Sequence, residues 1–398
     1  MRSPACLPTM EFVRRGLLTT LLLAGGALGA TATACPFCGP VPEPLATRRA
    51  RSTTVAIAET VGPATVAADG SRRQRLQLLS VFPTIGNRVE PAEPDRLPVL
   101  ATVTAEFNGT ALLFEAEAGN WQALAADELL IGYCLTAPAP QDRQAAAAER
   151  LAWFARWLEH PNAAIAADAY AEYAVAPFEA VRDAAGAFDA NRLADWLADP
   201  AVDQQRRGFY GLAAGLVARQ RTGPAADHCR EAIMTAVSAP NVSDFRAGYD
   251  GLLAGLFIAA GIEAPAVIES LGLLATAASP VDQRHLLQAL RFCWEEPADT
   301  LPQPAVVALT RRLLASPNLA REAVIDLARY QAWDACDAVV ALWPEGAHDP
   351  LIRPAIAGYL QACPTAEAQQ ALTQLRATDN DAVEAAIKAT RLPLPAAG

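Results

Sequence analysis

Residues 200–216 read PAVDQQRRGFYGLAAGL, and residues 240–256 read PNVSDFRAGYDGLLAGL. The two stretches align without a gap, at a period of about 40 residues, which is a spacing typical of helical repeats. They match at Val202 and Val242, Arg206 and Arg246, Gly208 and Gly248, Gly211 and Gly251, Leu212 and Leu252, Ala214 and Ala254, Gly215 and Gly255, and Leu216 and Leu256. Glycines at spacings of three and four lie on one face of a helix. Each costs about 1 kcal/mol relative to alanine inside a helix, so such a stripe predicts a close backbone contact that recovers the loss.

Working outward, the helical pattern restarts after six prolines: Pro161, Pro200, Pro240, Pro280, Pro317 and Pro350. Proline suits the first helical turn, where its missing N–H would be unpaired anyway, so each is expected to head a helix and end the one before. A second amphipathic segment lies in each period, at 191–198, 225–237, 265–277, 304–315 and 333–343. Two stacked helices per period describe an α-solenoid of the HEAT or armadillo kind, which presents extended binding surfaces. Later copies drift, and the last interval is 33 residues.

The segment 49–137 has a different texture, with β-branched and apolar runs bounded by turn residues. Strands are expected at Thr53–Glu59, Arg75–Phe82, Val99–Phe107, Thr110–Ala116 and Leu129–Leu135, with Asn108-Gly109 as a hairpin turn and 84–98 as a loop. Five short strands make a small barrel or sandwich. Pro138-Ala139-Pro140 marks the border with the helices. Beyond it, residues 141–159 read as one long helix carrying Trp153 and Trp157 on one face, where they pack the array against the β-domain.

The first 34 residues read as an export leader: Arg2, Arg14 and Arg15, then the apolar run 16–28, then Ala32-Thr33-Ala34 before Cys35. General secretion, a twin-arginine route through Arg14-Arg15, and a lipid anchor on Cys35 all fit. No other run is expected to span a membrane. The expected organisation is therefore leader 1–34, proline-rich segment 35–48, β-domain 49–137, helical-repeat domain 141–390 and disordered tail 391–398. Loss of the leader would move the formal net charge from −11 to −13. That balance argues against nucleic acid as a partner, because binding to it rests on Lys and Arg neutralising phosphate.

Among chemistry-bearing motifs, Cys35-Pro36-Phe37-Cys38 is the sharpest. C-x-x-C resembles the redox motif of thioredoxin-type proteins, but that motif follows a strand and opens a helix, whereas here Gly39-Pro40-Val41-Pro42-Glu43-Pro44 follows. A structural disulfide, within the pair or to Cys134, is the plainer reading, with redox and metal-linked roles as alternatives. Cys229, Cys293, Cys336 and Cys363 read as buried thiols, although a Cys336–Cys363 bridge stays open. His228 beside Cys229 makes no dyad, since adjacent helical residues face apart. His160, His228, His285 and His348 form no metal-binding pair, and no P-loop, G-x-S-x-G or G-x-G-x-x-G occurs. Trp294-Glu295-Glu296 reads as an acidic helix end.

Two resemblances attach to these residues. A cysteine-led start before a five-stranded domain, with Cys35, Cys38 and Cys134, resembles netrin-like modules, which implies cysteines tied to the barrel; the C-x-x-C spacing differs from the C-x-C of that group. Over nearly its full length the chain resembles a family of secreted bacterial proteins with a Cys-Pro-Phe-Cys start, a small β-domain and a HEAT-like C-terminal region. That likeness rests on residues 34–38, Ala166-Ala167-Asp168-Ala169-Tyr170, Ala176-Pro177-Phe178 and Tyr359-Leu360-Gln361-Ala362-Cys363-Pro364. It implies export and architecture and assigns no site. The sequence thus predicts a non-catalytic interaction protein, without cofactor or metal, that binds a protein or peptide, with thiol or metal chemistry at Cys35 and Cys38 as the alternative.

Overall fold

The computed structural model describes residues 41–85, 88–89, 98–140, 144–240 and 246–390. The leader, Cys35 and Cys38, and residues 391–398 lie outside that set. A short helix α1 (Leu45–Arg51) leads into seven strands: β1 (Thr54–Thr60), β2 (Thr65–Val66), β3 (Arg72–Ile85), β4 (Arg88–Val89), β5 (Val99–Thr102), β6 (Thr110–Glu117) and β7 (Asn120–Ala125). β1 pairs with both β3 and β6, and the sheet closes as β1-β6-β7-β5-β3-β1, with β2 and β4 as short additions to β3. β5 and β7 pair in parallel and the other neighbours are antiparallel. Counted in chain order, the five barrel strands therefore run first, second, third, fifth, fourth.

Period-two alternation divides the barrel's apolar residues between two cores. Ala56, Ala58, Leu76, Leu78, Ala101, Ala111, Leu113 and Trp121 fill the interior. Val55, Leu112 and Phe114 point outward instead, and join Leu45, Ala46, Leu130 and Tyr133 in the core that continues through the helices.

The barrel corrects three strand expectations. Leu129–Leu135 is not a strand but lies in helix α2 (Glu128–Thr136), whose N-cap Asp127 accepts the Leu130 N–H at 2.7 Å. Its buried positions Leu130, Tyr133 and Cys134 follow helical spacing, which outweighs the short apolar run's likeness to a strand. The fifth barrel strand is β7, and β5 stops at Thr102. Asn108-Gly109 is no hairpin, because β5 and β6 are not neighbours; Gly109, at φ 97°, instead exchanges hydrogen bonds with Thr60. The tight turn is Ala118-Gly119, between the paired residues Glu117 and Asn120, with Gly119 at φ 77°.

Helices then alternate along the chain: α3 (Gln144–Ala155), α4 (Ala163–Ala174), α5 (Phe178–Asp183), α6 (Ala190–Ala198), α7 (Gln204–Gln220), α8 (Pro224–Ser238), α9 (Tyr249–Ala260), α10 (Ala264–Ser270), α11 (Pro280–Glu295), α12 (Gln303–Arg312), α13 (Ala320–Arg329), α14 (Cys336–Val340), α15 (Ile352–Ala362) and α16 (Ala366–Thr390). The sequence-predicted helix 141–159 is shorter as described, since α3 ends at Ala155. Only one of the six repeat prolines, Pro280, stands in a first helical turn. Pro161 and Pro200 precede polar caps: Asn162 accepts the Ala164 N–H at 3.0 Å, and Asp203 accepts the Gln205 N–H at 2.9 Å. The prolines that do enter first turns include Pro224, Pro265 and Pro304, which head second helices of the pairs.

The two glycine stripes pack on each other. A Cβ on Gly255 would sit 2.0 Å from the Gly211 carbonyl oxygen, one on Gly251 2.4 Å from the Gly208 oxygen, and one on Gly215 2.4 Å from the Gly255 oxygen. Gly248 departs from its counterpart: Gly208 is helical, whereas Gly248 is the left-handed residue, φ 73°, that caps α9. The run Tyr249–Ser270 does have the length and mean hydropathy (1.9) of a membrane span, against the expectation that none did. It is broken at Gly261 (φ 52°), and α9 buries nine of its residues in the array.

Helices distant in the chain also meet. Phe178 of α5 packs edge-on against Phe292 of α11, with centroids 4.9 Å apart. Arg182 bonds Asp299 at 3.0 Å, and Arg219, at the end of α7, donates to the Ala298 carbonyl at 2.9 Å. The C-terminal ends of α5, α7 and α11 are thereby tied together.

Candidate functional site

The chain enters the described structure at the junction of barrel and helices. There the Leu45 N–H donates to Asp168 Oδ1 at 2.7 Å, and the Tyr133 hydroxyl donates to Oδ2 at 2.8 Å. Arg49 is buried and donates to the carbonyls of Cys134 and Ala137. Arg150 pairs with the buried Glu172. Burial lifts Asp168 above its ordinary range and Glu172 to about 7, the Arg150 guanidinium opposing the rise at Glu172. These bonds tie the junction together, although Glu172 Oε1 has no partner among the described residues. Trp153 and Trp157 sit in the same place, both about Tyr133, at 5.4 and 5.3 Å. Their expected packing role matches this position, since Tyr133 lies on the helix that follows the barrel.

The five described cysteines are free and buried. Burial pushes the Cys134 and Cys293 thiols up to about 12, which leaves little thiolate near neutrality. Cys134 lies on α2, not on a barrel strand as the netrin-like likeness implies, and Cys336 and Cys363 are not bridged. His228 bonds Asn191 at 3.1 Å, while the Cys229 thiol points to the Ala190 carbonyl, so the two form no dyad. Among the described residues no three His, Cys, Asp or Glu side chains are grouped to hold a metal.

Two clefts recur along the edge of the array that carries the proline turns. The first, about 610 Å³, is lined by Asp195, Arg207, His228, Glu231, Pro240 and Arg246, among others, from α6, α7, α8 and the turn before α9. Arg246 is held in place by Asp282 at 3.1 Å and by the Ala239 carbonyl at 2.6 Å, and its guanidinium lies 3.4 Å over the Tyr249 ring. Arg207 donates to the Asp199 carbonyl at 3.0 Å. The second cleft, about 540 Å³, is lined by Pro317, Arg321, Glu322, Glu345, His348 and Asp349, among others, at the starts of α13 and α15. Both clefts combine arginine, histidine and carboxylate beside a repeat proline. Sequence reasoning placed His228 on a helix beside Cys229 and gave His348 no site, and no signal short of the stacking itself brings them beside the arginines of other elements.

Residues 305–391 match the family model for HEAT repeats. The HEAT match starts within α12 and takes in α13 to α16, so it contains the second cleft's helices but not the glycine-faced pair. No curated protein and no solved structure matches the chain.

Proposed function

We propose that this protein is a non-catalytic scaffold, exported from the cytoplasm, that holds a protein or peptide partner along the proline-turn edge of its helical array. HEAT repeats commonly serve protein–protein interaction, and solenoids bind along extended surfaces. The observation that carries the reading is the recurrence of like clefts at equivalent turns, each with both signs of charge. Mixed charge suits a polar, charged segment better than a uniformly anionic polymer. Export rests on the leader-like composition of residues 1–34.

A photo-reactive residue at Glu231 or Glu345 should cross-link one and the same partner, and the cross-link should weaken in Arg207→Glu and Arg321→Glu variants. Cross-links confined to the barrel, for example from Val66, would sink the proposal. The thiol alternative reduces to Cys35 and Cys38, because the described thiols are buried. Rapid titration of a low-pKa thiol in the exported chain would favour it.

A further inference from the structure

At the opposite end of α13 from the second cleft lies a smaller recess of about 390 Å³, between the end of α11, α12 and the turn after α13. Its floor is aromatic. Trp294 stacks on Tyr330 with centroids 4.1 Å apart and planes at 25°. Tyr330 is only 6% exposed, and its buried hydroxyl has no hydrogen-bond partner among the described residues. Arg311 lines the recess too: its terminal nitrogen pairs with Asp334 at 2.6 Å, while its buried Nε has no partner among the described residues. Pro304, Val307 and Ala308 form an apolar wall. The backbone beneath is held in an uncommon shape, with Gln331 at φ 56° and the Ala332 N–H bonded to the Leu327 carbonyl at 3.0 Å.

Buried polar groups without partners cost about 1–3 kcal/mol each, so the two beside this recess gain from any acceptor that a small rotation of either side chain brings within reach. Both can donate, and the rim charges of Arg311 and Asp334 cancel, so complementarity asks for neutral acceptors and not for an ion. The indole asks for a compact apolar group lying on it. An extended polyproline-type peptide meets these demands together: its carbonyls have no internal partners, its pyrrolidine rings offer apolar CH groups to an aromatic face, and its ordering entropy is already low.

We propose that this recess docks a proline-containing extended segment of a partner protein, with a proline ring on Trp294 and backbone carbonyls accepting from Tyr330 and Arg311. The site is separate from the proline-turn clefts and stands or falls without them.

Calorimetry on the full chain, with a capped neutral peptide of alternating leucine and proline and an alanine–serine peptide of equal length, tests this. The proline peptide should bind and the control should not. Tyr330→Phe removes only an unpartnered hydroxyl, so the fold should survive with an equal or higher melting temperature, while affinity falls about three- to tenfold. Trp294→Ala should abolish binding. Equal binding of both peptides, unchanged affinity in Tyr330→Phe, or binding of neutral oligosaccharides alone would each overturn the proposal. So would binding seen only in a chain ending at Thr390, which would make the occupant this chain's own Leu392–Pro395 and not a partner's segment.

Discussion

Helices α7 and α9 meet backbone to backbone, whereas α11, α13 and α15 meet through side chains. In the first case Gly208, Gly211 and Gly215 face Gly248, Leu252 and Gly255, with no room for a methyl group between the chains. In the second, the buried Asp326 of α13 bonds Arg291 of α11 at 2.7 Å and Arg329 at 3.3 Å, Trp294 stacks on Tyr330, and the Tyr359 hydroxyl of α15 donates to the Ala332 carbonyl at 2.6 Å. The two clearest internal copies resemble each other because they are each other's packing surface. The HEAT match lies elsewhere, in the part of the array packed by ordinary leucine, isoleucine and tyrosine.

The largest expected effect probes the glycine contact. Gly255→Ala should destabilise the protein by about 3 kcal/mol or more, since the new methyl meets fixed backbone, and chemical denaturation measures it. A loss below about 1 kcal/mol would show that α7 and α9 can slide apart, and the contrast would disappear.

Next comes the polar bridge on the other side of the comparison. Asp326→Asn should cost about 2 kcal/mol, because the amide turns one of the two oxygens that accept from Arg291 and Arg329 into a donor facing a donor. Burial raises the Asp326 carboxyl above its ordinary range, so the folded chain holds that proton to higher pH than the unfolded chain. The group's contribution to stability therefore falls as pH rises from the unfolded carboxylate range through the raised folded value, and the Asn variant should show a flatter pH–stability curve across that window.

Removing a single methyl in the side-chain-packed region should cost less than adding one in the glycine region. Ile356 is fully buried, and Ile356→Val is expected to lose about 1 kcal/mol. The smallest change reverses sign. Gly358, within α15, has room for a Cβ, its nearest neighbour being the Thr390 methyl at 3.6 Å. Gly358→Ala should stabilise by about 0.5–1 kcal/mol through helix propensity, and destabilisation there would mean that glycine is required for packing in both regions.

Much of this architecture was legible in the residues. The paired helices, the close-packing stripe, the barrel class and the buried cysteines all follow from period, spacing and composition. The misreadings have a common origin. Leu129–Leu135 looked like a strand because its apolar run is short, while Asp127, the cap that makes it a helix, carries the same weight in a turn. Asn108-Gly109 looked like a hairpin because its chemistry suits one, but the strands on either side are separated by β7. The clefts were illegible for a stronger reason: His228 and Arg207, or His348 and Arg321, come from elements whose approach no local pattern encodes.

By itself the sequence determined that helices come in pairs, which faces must be apolar, and that two glycine stripes needed close partners, because propensity and periodicity act within a few residues. Only the tertiary structure decided that the stripes face each other, that the barrel strands close in a shuffled order, and that Phe178 meets Phe292. Those outcomes depend on which buried surfaces meet across more than a hundred residues of chain, and packing settles that among all faces at once.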